Sequence, residues 1–257
     1  INPAVPRHAD NWVTALSPDQ VDRYQRVFTR LVSPDGASRQ QLDLVCEVLS
    51  TLPFPLKCVL DRFGLGRFRV LQKVRPDNPL DVYRSENAEP VDWIMLGNHD
   101  TPTIWQLAEH WVKSGESKAR AGDLSLRLAP TPGDRDWVQR HASDPGRLVH
   151  ALFADLLISP ARSIMVFFAD VLGLTEQYNV PGTVNDTNWS MRVPTSYGRA
   201  YVGKLANDRA LSLPLALGIA LRSPRMPGVH ADLIRSIDTE AERLRAVGAA
   251  YAEEPSR

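Results

Sequence analysis

Glu47 stands near the end of an apolar run, Leu42–Leu49. A carboxylate leaving an apolar strand is desolvated, and desolvation raises its pKa toward the range a general acid needs. The plainer alternative is a glutamate paired with a neighbouring arginine at the strand's exit. Asn98-His99-Asp100-Thr101 is the denser signal, because groups able to hydrogen-bond or ionise follow the apolar stretch Trp93–Gly97 without a break. A β-turn capping the next helix accounts for the same residues, with Asp100 or Thr101 as N-cap and Pro102 at the first helical position. The two readings are compatible. Of the tryptophans, Trp105 and Trp111 fall at helical spacing and are expected in the core. Trp189 lies in a polar stretch beside Asn188 and Arg192, where an aromatic face is better placed to contact a ligand.

Other chemistries lack their residues. The six histidines are scattered, and neither cysteine has a partner at zinc spacing, so no metal is expected. Gly64-Leu65-Gly66 comes after a helix-like segment and before a strand-like one, the wrong order for a phosphate-binding turn. No Gly-x-Ser-x-Gly elbow occurs.

The elements that must position these residues alternate. Ser17-Pro18 opens a helix through Leu31, which Pro34-Asp35-Gly36 stops. Strand-like runs follow at 42–49, Phe68–Gln72, Trp93–Gly97 and Ile164–Asp170. A helix over Pro55–Phe63 closes at Gly64, and a long Pro/Asp/Asn-rich loop fills 75–90. A helix follows Ile104, residues 129–146 read as loop or short helix, and a further helix covers Arg147–Leu157. After a polar loop come helices near 195–206, 211–222 and 229–250, with a tail expected to fray from about residue 245. Short apolar strands separated by helices imply a parallel sheet buried on both faces. The strands end in polar residues: Glu47, Gln72, Asn98 to Asp100, and Asp170. That edge carries the site in a β/α barrel and in an open doubly wound sheet alike. Four strands are too few for an eight-stranded barrel, so either the sheet is open or half a barrel is missing.

Composition narrows the setting. With 43% hydrophobic and 23% charged residues, a packed core is within reach. Thirty basic and thirty acidic side chains cancel, which gives no basis for capture of nucleic acid or of a membrane surface. No apolar run approaches the roughly 18 residues of a membrane span. Two cysteines exclude a disulfide framework and point to the cytoplasm; Cys46, in an apolar run, is expected to be a buried inert thiol. The N-terminus, Ile1-Asn2-Pro3, has neither an initiator Met nor a signal peptide's apolar core, so the natural chain is expected to begin upstream.

An ordered set of motifs resembles 4-α-glucanotransferases of the amylomaltase type, glycoside hydrolase family 77. It comprises Cys46-Glu47-Val48-Leu49-Ser50-Thr51, Arg62-Phe63-Gly64-Leu65, Arg69-Val70-Leu71-Gln72 and Gly97-Asn98-His99-Asp100-Thr101. Phe168 to Gly173, Asn179-Val180-Pro181-Gly182-Thr183 and Asn188-Trp189-Ser190-Met191-Arg192 complete it, over roughly residues 42–222. The resemblance implies the C-terminal half of a (β/α)8 barrel with extra helices, about four parallel strands. It divides the chain into a helical insert or linker at 1–41, the half barrel at 42–222, and a C-terminal helix and tail at 223–257. It implies transfer of α-1,4-glucan segments between maltooligosaccharides by a retaining double displacement without a cofactor. Glu47 would be the general acid/base and Asp100 the carboxylate that stabilises the oxocarbenium-like transition state. His99, Asn98, Gln72, Asn188, Trp189 and Arg192 would contact the sugar. A hydrolase of the same barrel and an inactive carbohydrate-binding remnant are the alternatives.

Three departures bear on this. Val48 stands where the family has Asp after the acid/base, and Thr101-Pro102 replaces Asn-Asp after the His-Asp pair. The family's nucleophile, an Asp in an Arg-x-Asp-His-like motif, has no match before Glu47. The first half of the barrel is therefore expected to be absent. The isolated chain is expected to be inactive, and poorly soluble or dimeric through its unpaired sheet edges.

Overall fold

The structure is a computed structural model that describes residues 15–32, 44–48, 52–228 and 231–253. Three parallel strands, β1 (Phe68–Val70), β2 (Trp93–Met95) and β3 (Ser163–Ile164), form one sheet in that order. Phe68 lies beside Trp93, Val70 beside Met95, and Ile94 beside Ile164. The alternation of β2 sends its side chains to two different cores. Ile94 and Leu96 join a large helical cluster, while Met95 packs with Phe68, Val70 and the fully buried Tyr83. Tyr83 comes from the long loop between β1 and β2, so that loop covers one face and helices cover the other. This is the both-faces-buried sheet that short, nearly all-apolar strands require.

A charged residue in such a strand needs all its partners. Arg69, in β1 and 7% exposed, donates its Nε–H to Asp92 Oδ2 at 2.5 Å and a second N–H to Val82 O. Asp92 also accepts the backbone N–H groups of Arg67 (2.9 Å) and Glu89 (2.8 Å). The pair stitches the loop to both strands.

The helical layer begins with α1 (Pro18–Val32) and α2 (Phe54–Phe63), joined by the Phe28–Phe63 ring contact and the Arg62–Asp22 ion pair. Gly64 then takes the left-handed conformation (φ 65°) that ends α2, as its sequence position predicts. Next come α3 (Ile104–Ser114), α4 (Ser117–Leu128), α5 (Arg135–Ala142) and α6 (Pro145–Leu157). Trp105, Trp111, Leu124, Leu128, Leu148 and Phe153 fill the core between them, so both helical tryptophans are core residues as expected. A short α7 (Phe168–Val171) precedes the polar loop, and α8 (Tyr197–Leu205), α9 (Leu213–Leu221) and α10 (Ala231–Glu253) close the chain. Helix α10 packs on α8 and α9, and the Arg245–Asp208 pair (2.8 Å) reinforces the contact.

Several expectations are corrected. Residues 44–48 are irregular rather than strand, and the rest of the 42–49 run lies outside the described residues. The strand expected over 68–72 ends at Val70, where Leu71–Lys73 tighten into a 3-10 turn. The 164–170 run is strand only to Ile164. Met165 makes the last bond to β2, through Ile94 O (3.0 Å), and Asp170 and Val171 then fold back onto Phe167 O as α7. Helix α4 was not anticipated. Its pattern is obscured by Arg127, a cation buried because Asp123, Asp155 and Glu86 surround it. The tail from residue 245 is helical to Glu253. Cys46 is half-buried rather than buried, and desolvation pushes its thiol pKa up, the direction that disfavours the thiolate. Among the described residues the outer strands of the sheet, β1 and β3, are three and two residues long.

Candidate active site

The C-terminal end of β2 turns sharply into α3, and that turn carries the site. Gln72 N donates to Leu96 O (3.1 Å), which pins the end of β1 beside the end of β2. Gly97 follows, and a side chain there would push aside those of Thr101 and Gln72. A Cβ would lie 2.8 Å from Thr101 Oγ1 and 2.9 Å from Gln72 Nε2.

Residues 98–101 then close on themselves. Asn98 N donates to Thr101 Oγ1 (2.9 Å), Thr101 Oγ1–H donates to Asn98 O (2.9 Å), and Asp100 N donates to Asn98 Oδ1 (3.0 Å). The helix cap is Thr103, not Asp100 or Thr101; its Oγ1 accepts the N–H of Gln106. Asp100 is thereby released from capping. Its carboxylate and the His99 ring project from the turn, 31% and 42% exposed, with His99 Nε2 3.4 Å from Asp100 Oδ1.

A second segment comes to meet them. Asn179, buried at 8% exposure, donates Nδ2–H to Asp100 Oδ1 at 2.6 Å. Among the described residues Asp100 Oδ2 accepts no hydrogen bond, so one oxygen is fixed and the other is available. Trp189 adopts φ 62°, rare for a bulky residue. Its N–H donates to Tyr178 O (3.0 Å), which holds that conformation. Its ring lies 5.2 Å from His99 and 5.3 Å, edge-on, from Tyr178. With half of Trp189 exposed, an aromatic surface opens beside the His99 ring.

The remaining expected site residues are placed in three ways. Asn98, Gln72 and Asn188 act as scaffold. Asn98 braces the turn, and Gln72 is buried behind it with Oε1 unpaired among the described residues. Asn188 ties the loop by accepting Val180 N (3.0 Å) and donating to Thr183 O (3.0 Å). Arg192 is exposed, donates to Trp189 O (2.8 Å), and lines an open depression with Glu176 and Gln177. Glu47 stands apart. Val48 N bonds Cys46 O (2.8 Å), a tight bend with Glu47 exposed at its apex. Among the described residues its carboxylate touches none of His99, Asp100, Asn179 or Trp189. Asn179 and Tyr178 were not singled out as site residues from sequence. The only signal for Asn179 was its place in the Asn-Val-Pro-Gly-Thr motif.

Among the described residues no group of three His, Cys, Asp or Glu side chains could hold a metal, and no helix is long and apolar enough to cross a membrane. The arrangement offers a polar carboxylate, a ring nitrogen, a buried amide and an aromatic plate, a set suited to a neutral polyhydroxylated ligand.

The family model described as 4-alpha-glucanotransferase, glycoside hydrolase family 77, matches residues 6–196. A 4-alpha-glucanotransferase of Chlamydia trachomatis serovar D is 28% identical over 160 residues, which cover 58% of this chain and 28% of that protein. The amylomaltase from Streptococcus agalactiae, solved in complex with acarbose, superposes with a TM-score of 0.52 at 15% identity. That match covers 85% of this chain and 35% of the other. The amylomaltase from Corynebacterium glutamicum gives a TM-score of 0.45 at 16% identity, over 81% of this chain and 28% of that one.

Proposed function

Because the chain belongs to the 4-alpha-glucanotransferase family, glycoside hydrolase family 77, we propose that it supplies the transition-state carboxylate and the acid/base of an α-1,4-glucan transferase. The observation that carries this reading is the convergence of Asp100, His99, Asn179 and Trp189. In a retaining transfer the glucosyl ring flattens toward an oxocarbenium ion as the glycosidic bond breaks. Asp100 would face that ring, with Oδ1 anchored by Asn179 and Oδ2 left for the sugar. Charge set in place before the reaction stabilises a developing cation without reorganisation at the moment of bond cleavage. His99 would hydrogen-bond the same sugar, and Trp189 would carry an apolar pyranose face.

Glu47 would protonate the leaving oxygen and later take the proton of the acceptor hydroxyl. Glu47 is exposed and has no hydrogen-bond or ion-pair partner among the described residues, so residues outside them would have to enclose it. The nucleophile is likewise not assigned. Asp19 and Asp22, the described aspartates before Glu47, lie on exposed positions of α1. That favours a second reading, in which these 257 residues alone bind sugar without transferring it. The half barrel at residues 42–222, flanked by segments 1–41 and 223–257, and a cytoplasmic setting belong to the same proposal.

Maltotriose provides the test. Added to the 257-residue chain, it is expected to perturb the Trp189 indole and Asn179 side-chain signals in NMR spectra without releasing glucose or longer oligosaccharides. Absence of any perturbation at both residues counts against a sugar site here. Disproportionation by the chain alone would show that a nucleophile is present within it.

A further inference from the structure

Asp170 is the most deeply buried carboxylate near the site, 2% exposed, and none of the chemistry above uses it. It sits in α7, ahead of the loop that carries Asn179 and Trp189. Its Oδ1 accepts the N–H of Ile104 (2.8 Å), the first residue of α3, just after the turn that carries His99 and Asp100. Its backbone carbonyl accepts the indole N–H of Trp105 (2.7 Å). Both bonds run from one residue of α7 to successive residues of α3.

The back of α7 is equally fixed. Leu211 N donates to Val171 O (3.1 Å), and Lys204 Nζ donates to Gly173 O (2.7 Å). Gly173 has φ 66° and leaves no room for a side chain, since a Cβ would lie 1.9 Å from Arg209 O. Helix α7 is therefore a fixed post with the α8–α9 connection behind it and the first turn of α3 in front.

We propose that Asp170 is a positioning residue for Asp100: by tying α7 to the first turn of α3, it sets the gap that the Asn179–Asp100 hydrogen bond spans. The proposal rests on the transferase reading only for what Asp100 does. A carboxylate is a costly choice for a purely structural bridge. Its Oδ2 has no partner among the described residues, and burial pushes its pKa up to about 7 despite the Ile104 bond. In exchange, an ionised acceptor on a helix N-terminal N–H gives a stronger and more directional bond than a neutral one. Perturbed carboxylates of this kind concentrate around functional sites.

The test reads the Asn179 side-chain amide in the 257-residue chain labelled with 15N-asparagine, its signal assigned by loss in Asn179→Gln. In Asp170→Ala the amide protons are expected to leave their carboxylate-bonded shift and to exchange with solvent about tenfold faster or more. Asp170→Asn keeps an acceptor for Ile104 and is expected to restore the parent signal. If Asp170→Ala fails to fold, Trp105→Phe removes the other bond of the bridge and decides in the same way. An unmoved Asn179 signal in a folded Asp170→Ala, or in Trp105→Phe should that variant be needed, overturns the proposal. No sugar or turnover enters these readings. A moved Asn179 signal together with silence toward maltotriose would reject the transferase reading and leave this one standing.

Discussion

Asn179 Nδ2 meets Asp100 Oδ1 at 2.6 Å across 79 residues of sequence, and this bond joins the two segments that form the site. A hydrogen bond to an ionised group contributes about 1.5–3 kcal/mol when its removal leaves the charge unmet. Asn179→Ala is therefore expected to weaken maltotriose binding about ten- to hundredfold, measured by calorimetry. Asn179→Asp is expected to be worse near neutral pH, because two carboxylates this close resist ionising together, and to recover partly on acidification. Equal affinity for parent and both variants would detach Asn179 from the site.

Trp189 offers a different kind of contact. Its backbone N–H is held by the Tyr178 carbonyl, and its exposed ring has His99 and Tyr178 as neighbours. Trp189→Phe is expected to keep most of the affinity for maltotriose, and Trp189→Ala to lose about tenfold or more by the loss of aromatic surface. Circular dichroism should be unchanged in both, since the side chain is half exposed and packs at the loop's rim.

These two segments also show what the sequence could tell. His99 and Asp100 stand out in the sequence because they closely follow the apolar run Trp93–Gly97 that contains β2, and a strand's C-terminal edge is a physical reason to expect a site. Gly64 and α1 are legible from capping residues and periodicity, and α3 from periodicity alone, since its cap is Thr103 rather than Asp100 or Thr101. Asn179 was not, because a buried polar residue in a loop has no periodic signature and its partner is far away in the chain. The run 164–170 misled for the opposite reason. Its hydrophobicity suits a strand or a buried turn equally, and the bond from Asp170 to Ile104, invisible in sequence, accompanies the turn. Glu47 reads as a strand-end residue because its neighbours are apolar. Val48 and Cys46 do use that apolarity, packing against α2 with Leu60 and Leu56, but the backbone between them bends rather than extends.

Arg127 tests the account of α4. It is 3% exposed and makes a two-point pair with Asp155 (2.7 and 3.1 Å), while Asp123 (2.9 Å) and Glu86 (3.2 Å) take its other N–H groups. Those carboxylates hold its pKa above the ordinary arginine value despite burial. Removing one partner of a buried ion pair leaves the other charge unmet and costs about 3–5 kcal/mol. Asp155→Ala is expected to destabilise the chain by that amount in urea denaturation. A replacement of both residues by apolar side chains, Arg127→Met with Asp155→Leu, should cost much less. If the single variant is no worse than the double, the network is not what holds α4 against α6.

The last prediction concerns pH and rests on His150, which is fully buried in α6. Its Nδ1 lies 2.7 Å from Gly146 O and its Nε2 accepts the N–H of Ser212 (3.0 Å), so the neutral ring with its proton on Nδ1 satisfies both neighbours. Burial lowers its pKa. Asp208 and Asp144 act against that shift and Arg245 with it, and Asp208 and Arg245 are themselves paired. The sign follows from linkage. The unfolded chain takes up the proton first as pH falls, so this contribution to stability is complete above the ordinary value near 6.5 and is lost as pH drops toward the lowered one, by up to about 1.4 kcal/mol per pH unit. His141, also lowered by burial, adds in the same direction. Asp170 opposes both, since a carboxyl raised to about 7 favours the fold at low pH and loses that contribution as pH rises through 7. The raw stability curve therefore mixes the three, and the difference between parent and His150→Gln isolates one. That variant is expected to be less stable at pH 8, where Ser212 N loses its acceptor, and to have a shallower acid slope between pH 6.5 and 5. Parallel curves over that interval would mean that His150 takes up its proton in the fold as readily as in the unfolded chain.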